Sequence, residues 1–263
     1  MASDHADSVA RELADEALFD TIAEHYARKD SVASSSMARR SQLLYAIRPV
    51  LNDQPNLGTV VEIGCGVGAP AQYLMGRYER YIGIDQSEEM IEAARLFNQG
   101  NPRAKFLVRN ARAPDLEPAV ADTILSSGAL HHMTELDEVM ESLVRIARIG
   151  AYLVVIEPQN GNPLLQLMRW VRGKMDPSYS SDQVYFSERD LADLFRSHGI
   201  NDLFIDFQGF LSTPFAQVVL FPQVLSTPLS RAASRIDPWL AESLPGPLKR
   251  LSFNIVIIGR FAG

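Results

Sequence analysis

The sequence predicts an α/β protein built on a doubly wound, mostly parallel sheet of seven strands, with a helical N-terminal cap and helical insertions. Three observations carry that expectation. Residues Val60 to Pro70, VVEIGCGVGAP, read as a β-branched run, a loop with Gly64, Gly66 and Gly68 at alternate positions, and a helix whose first turn holds Pro70. From Thr59 onward strand-like and helix-like stretches alternate. Residues 151–158, AYLVVIEP, are near-continuously apolar, as a strand is when helices cover both of its faces.

Ahead of the sheet, Val9, Leu13, Phe19, Ile22 and Tyr26 recur among charges at near-helical spacing, which predicts a leading amphipathic helix over residues 7–30. DSVASSSMARRSQ then reads as a loop or as the start of a second helix running to Leu51, and Pro49 with NDQPN closes the segment. Residues 1–57 are thus assigned to the cap and 58–263 to the sheet domain, with insertions at about 159–186 and 211–250. YIGID (81–85) is the second strand and ends in an acid; Ser87 caps a helix with Met90, Ile91, Ala94 and Phe97 on one side. KFLVRNA (105–111) and ADTILSSGALHH (121–132) hold the third and fourth strands. Thr134 with Asp137 predicts a capping box before a helix whose Leu136, Val139, Met140, Leu143, Val144 and Ala147 keep 3/4 spacing.

After the fifth strand the rhythm breaks. A helix near Leu164 to Val171 and a polar stretch, DPSYSSDQ, fill the first insertion. SERDLADLFRSHG is a capped helix ending at Gly199, NDLFIDFQGF (201–210) is the sixth strand and NIVIIGRF (254–261) the last. About forty residues separate those two strands, far more than a hairpin needs. Within them STPFAQVVLFPQVLSTPL is expected to form broken helices and a lid; its 211–228 part reads as pocket wall, dimer contact or membrane-surface patch.

Composition excludes several roles. A net charge of -7 argues against a phosphate backbone as principal partner, because counterion release needs a basic face. The single cysteine, Cys65, rules out an internal disulfide framework and a thiolate metal cluster, and fits a reducing, cytoplasmic setting. MASDHADSVARELADE has acids and no apolar centre, unlike a secretion signal. No apolar run approaches the roughly 18 residues of a spanning helix.

Chemistry concentrates in the glycine loop. Residues without Cβ let the main chain turn sharply and approach a ligand, and the helix start beyond offers unpaired N–H groups with a partial positive charge. Such a loop also serves as a ligandless turn or as the phosphate loop of a nicotinamide dehydrogenase. Glu62, two positions before the first glycine, instead suits a positively charged amino group. Asp85, at a strand's C-terminal end, is placed to accept the hydroxyls of a ribose.

This window resembles motif I, E-x-G-x-G-x-G, of the class I S-adenosylmethionine (SAM) dependent methyltransferases. Over residues 58–158 the chain is similar to their small-molecule and quinone branch, and A-x-x-Y-x-x-x-D at Ala23 to Asp30, followed by serines, resembles the helices that cap the pocket there. The resemblance implies a Rossmann-like methyltransferase fold whose last two strands are antiparallel, SAM as cofactor and S-adenosylhomocysteine as product. It places Glu62, Gly64, Gly66 and Gly68 around the methionine part, Asp85 on the ribose, and Gln86, Met90, Asn110 and Ala111 around the adenine. Ser127 falls under the methionine part, and Tyr26 either closes over the cofactor or is a core aromatic. Asn110 stands where relatives usually carry Asp, and ARIGA replaces their L-K-P-G-G turn.

His131 and His132, in GALHHM, match the LHH that follows the fourth strand in many small-molecule members, and are the candidate catalytic residues, as base or as positioning groups. Their adjacency, without other ligands nearby, does not suit a metal. Glu157 is either a substrate contact or a solvated acid, and Arg39 and Arg40 either meet an anionic substrate or form a solvated face. The expectation is therefore methyl transfer from SAM to a small-molecule or lipid-like acceptor, without nucleic acid. The rival readings are a SAM-binding partner subunit without turnover and, less suited to Glu62, a nicotinamide dehydrogenase. Peripheral membrane contact and a monomer or homodimer stay open.

Overall fold

The computed structural model describes residues 28–163, 165–166 and 185–262. The expected leading helix lies outside these except for the helical residues 28–31, as do Tyr26 and most of the first insertion.

Two helices precede the sheet. α1 (Ala33–Ala46) absorbs the serine-rich stretch, so the helical alternative holds there, and α2 (Arg48–Asp53) takes Pro49 in its first turn, where a missing N–H costs nothing. The core then alternates: β1 (Thr59–Ile63), α3 (Ala69–Tyr73), β2 (Arg80–Asp85), α4 (Glu88–Phe97), β3 (Ala104–Val108), β4 (Ala121–Ser127), α5 (Leu136–Ile146) and β5 (Ala147–Pro158). α6 (Glu188–Ser197), β6 (Ile200–Gln208), α7 (Thr213–Gln217), α8 (Gln223–Ser243), α9 (Gly246–Lys249) and β7 (Asn254–Phe261) complete it. The seven strands form one sheet in the order β3-β2-β1-β4-β5-β7-β6, with β7 antiparallel to both of its neighbours and the other pairings parallel.

Strand alternation divides the core into two layers. Val61 and Ile63 of β1 join Val139, Met140 and Leu143 of α5 and Phe195 of α6 on one face. Val60 points the other way, with Leu43 of α1, Val50 of α2, Ala71 of α3 and Ile91 of α4. This is the doubly wound arrangement that the strand and helix alternation predicts, and it lines up the C-terminal ends of β1, β2, β4, β5 and β6 on one rim, where ligands bind in open α/β sheets.

Three local expectations are corrected. Thr134 and Asp137 form no capping box: Glu135 itself occupies the N-cap of α5, with φ at 48° and no side-chain cap. β5 begins at Ala147, so ARIGA opens the strand and is not a turn before it. The second insertion holds the short α7 and then α8, an unbroken 21-residue helix that runs through Pro228 and Pro238. Ser87 and Ser187 cap as expected, the latter in a full capping box with Asp190.

α7 and α8 fold back onto α1. Small residues permit the approach: Ser230 Oγ donates to the carbonyl of Ser34 at 2.6 Å and Ser41 Oγ to that of Ser234 at 3.2 Å. Asp237 of α8 accepts from the backbone N–H groups of Leu211 and Ser212 at 2.8 and 3.0 Å, fixing how the chain leaves β6. Among the described residues no helix is long and apolar enough to cross a membrane.

Candidate active site

A crevice of about 1090 Å³, measured out to its mouth, opens over the loop that leaves β1. Gly64 has φ at 62°, and a Cβ there would sit 2.4 Å from that of Ala129. The loop is tied to β2 at two points: Cys65 N–H donates to the carbonyl of Ile84 at 3.0 Å, and Gly66 N–H to Asp85 Oδ2 at 2.8 Å. Asp85 Oδ1 also accepts from Ser87 N–H at 3.1 Å, so this carboxylate organises loop, strand end and helix start together. Cys65 is buried, and burial pushes its thiol pKa up.

Glu62, Gly64, Gly66, Asp85, Gln86, Met90, Asn110, Ala111, Ser127 and His132 all line this crevice. Gly68, at the N-cap of α3 with φ at 67°, is packed from behind: a Cβ there would lie 2.5 Å from the Phe106 ring. Glu62 shares a sheet face with Val60 by alternation and is 1% exposed. Tyr81 donates to its Oε2 at 2.5 Å, and burial pushes the Glu62 carboxyl up to about 8. Asn110 Oδ1 accepts from Arg112 N–H at 2.9 Å in a local turn, which leaves that oxygen one further lone pair.

The donor set fits an adenosyl amino acid. Two carboxylates stand at separate points of the crevice, carboxamides and apolar Ile84, Met90 and Val139 form its walls, and a Cβ at Gly66 would meet nothing nearer than Met90 Sδ at 4.0 Å. That open cradle admits a ligand against the main chain.

A second chamber, of about 910 Å³ on the same measure, adjoins the first, and Arg39, Pro70, Ser127, Gly128 and His132 line both. Its own walls include His131, Gln42, Gln208, Gln217 and Asn254. Here Glu157 is neither a substrate contact at the rim nor a solvated acid. It is 1% exposed, its Oε1 accepts from the N–H groups of Ala129 and Leu130 at 3.0 and 2.8 Å, and its Oε2 lies 2.6 Å from His131 Nδ1. A carboxylate accepts only, so Nδ1 carries the proton and Nε2 is the basic nitrogen. The two imidazoles pack together, with ring centres 4.0 Å apart, yet His131 lines only the second chamber and His132 borders both.

Arg39, itself partly exposed, pairs with a buried acid. Its Nε is 2.7 Å from Asp30 Oδ1, whose side chain is fully buried and also accepts from Tyr73 OH at 2.7 Å. Arg40 lines neither cavity. Among the described residues no group of His, Cys, Asp and Glu could hold a metal ion.

Sequence reasoning missed Gln208 and the role of Glu157. Gln208 is 2% exposed, and neither its amide nitrogen nor its oxygen has a hydrogen-bond partner. The available signal was positional: Gln208 ends β6 and pairs with Asn254, which opens antiparallel β7, so both fall on the ligand-binding rim.

Comparison with known proteins agrees with this geometry. Residues 61–155 match the model of a methyltransferase domain. The chain is 28% identical over 120 residues to trans-aconitate 2-methyltransferase of Variovorax paradoxus, covering 44% of this chain and 45% of that one. It is 23% identical over 160 residues to the chloroplastic tocopherol O-methyltransferase of Arabidopsis thaliana, covering 57% and 46%. It is 29% identical over 108 residues to 2-methyl-6-phytyl-1,4-hydroquinone methyltransferase of Synechocystis, covering 41% and 34%. The match therefore spans less than half the length of each of these relatives. Among solved structures, a SAM-dependent methyltransferase of Thermotoga maritima superposes with a TM-score of 0.66 at 21% identity, covering 92% of this chain and 97% of that one; at this identity the likeness speaks for the fold.

Proposed function

We propose that this chain, whose residues 61–155 match the model of a methyltransferase domain, transfers the methyl group of SAM to a small-molecule acceptor in the second chamber, with His131 as the base. The observation that carries this reading is the 2.6 Å contact between Glu157 and His131 Nδ1 beside the junction of the two cavities. Bound in the first crevice, SAM supplies a methyl group on a sulfonium, ready for displacement. Glu62 and Ser127 would hold its amino acid end, Asp85 its ribose, and Gln86, Met90, Asn110 and Ala111 its adenine.

The remaining work falls to the chain's own side chains. The buried Glu157 carboxylate sets the His131 tautomer and stabilises the imidazolium that forms when Nε2 takes a proton. Such a base serves an acceptor whose nucleophilic atom must first lose a proton, as a phenolic oxygen or an activated carbon does. Tocopherol and a hydroquinone, the acceptors in the names of two relatives, carry phenolic hydroxyls. At the other side of the chamber the carboxamide of Gln208, buried without partners, suits a polar group on the acceptor, because leaving a buried amide unmatched costs about 1–3 kcal/mol. Enclosure by α1 and α7 keeps water from the reacting atoms.

The test is formation of S-adenosylhomocysteine from SAM with phenols, hydroquinones and tricarboxylates as acceptors. Turnover should depend on the acceptor and fall about 10²–10⁴-fold in His131→Ala, with SAM affinity retained. Glu157→Gln should fall in the same direction. Undiminished turnover in His131→Ala removes the base, and SAM binding without turnover on any acceptor leaves a silent binder.

A further inference from the structure

α8 is inverted with respect to an ordinary surface helix. Its buried side is small and polar, with Ser226, Ser230, Ala233, Ser234, Asp237 and Ala241, whereas its large apolar side chains point outward. Val224 is 78% exposed, Trp239 63% and Leu225 61%, and Leu229 and Ile236 are also exposed. With 3.6 residues per turn these positions fall on one stripe, and Phe221, just before the helix, extends it. Single exposed leucines are ordinary; a continuous stripe over a whole helix marks contact with an apolar medium.

Charge selects the medium. From residue 218 to residue 236 the sequence has two charges, Arg231 and Arg235, both on turns bordering the stripe, although the chain as a whole carries -7. Arg28 adds a third cation at the stripe's start, with its guanidinium carbon 5.7 Å from the centre of the Phe221 ring. The acids of α8 are spoken for: Asp237 is buried on the two N–H groups described above, and Glu242 pairs with Arg48 at 2.7 Å. An apolar helix face ending in tryptophan and edged by arginines matches the interfacial zone of an anionic lipid bilayer.

From these observations we infer that the outward face of α8 docks the protein on an anionic membrane surface, lying in the plane of the headgroups. The face continues into the acceptor chamber, since α7 contributes Ala216 and Gln217 to the chamber wall just before the exposed Val218. An acceptor with an apolar tail would then enter from the bilayer side. This last link rests on the proposed methyl transfer; the docking does not.

The experiment is co-sedimentation of the full chain with vesicles of phosphatidylcholine alone and of equimolar phosphatidylcholine and phosphatidylglycerol. Expected are binding to the anionic vesicles only, weakening with added salt, and loss of binding in Leu225→Ser/Leu229→Ser. Arg231→Gln/Arg235→Gln should bind roughly thirtyfold more weakly, about fivefold per cation. Circular dichroism and S-adenosylhomocysteine titration confirm that the variants are folded. Absence of vesicle binding, or binding that neither pair alters, overturns the inference. So does concentration-dependent self-association that the leucine pair abolishes in place of vesicle binding, which makes a second copy the occupant. Vesicle binding by wild-type protein that does not take up S-adenosylhomocysteine supports the docking and counts against the methyl-transfer reading alone.

Discussion

Glu62 shows how one side chain carries both the ligand reading and a stability consequence. Desolvation raises its carboxyl from the usual 4.5 to about 8, against the opposing Tyr81 hydrogen bond. Between those two pH values the folded chain holds a proton that the unfolded chain has lost, so this group's contribution is complete below about 4.5 and drains away as the pH climbs to 8. Glu62→Gln carries no such proton. It should gain on the wild type across that window, by an order of a few kcal/mol at about pH 9 relative to about pH 5 in urea unfolding. A difference that stays flat with pH would mean that Glu62 is ionised in the folded chain. The sequence revealed Glu62 through its place before the glycines, but not Tyr81 as its donor, because that contact is set by β1 and β2 lying in register. Glu157 escaped for the same reason: its partners at Ala129, Leu130 and His131 belong to another strand's loop.

The elements were legible wherever local signals and tertiary packing agree. The strands of the core, the serine caps of α4 and α6 and the antiparallel last pair all follow from pattern or from resemblance. α8 did not, because prolines inside a helix usually break it. Here the helix persists, held on α1 by serine-to-carbonyl contacts and strapped by Asp237 to the residues after β6. Asp237→Ala leaves the amides of Leu211 and Ser212 without their acceptor and should cost about 2–4 kcal/mol in denaturant unfolding. Asp237→Asn, which keeps one carbonyl oxygen, should cost less, and a loss under about 0.5 kcal/mol in the alanine variant would show the strap to be idle.

At the scale of the whole molecule, α1 and the residues just before it are tied to the sheet layer, because Asp30, paired with Arg39, accepts from Tyr73 of α3. Arg39→Gln strands the buried Asp30 carboxylate on a single tyrosine, and should destabilise the fold by about 3–5 kcal/mol, as removal of the partner of a buried charge does. Asp30→Asn in addition should recover a substantial part, a non-additivity that a double-mutant cycle reads directly. Simple addition of the two single effects would mean that cap and sheet are not coupled there. The position of β7 carries a different implication, for synthesis on the ribosome. Because β6 reaches the rest of the sheet only through residues 254–261, it emerges without a hydrogen-bonding neighbour and waits for some fifty further residues of translation. During that interval β5 also presents an uncovered edge, so a nascent chain stalled anywhere between 209 and 253 should be the species that chaperones bind most strongly.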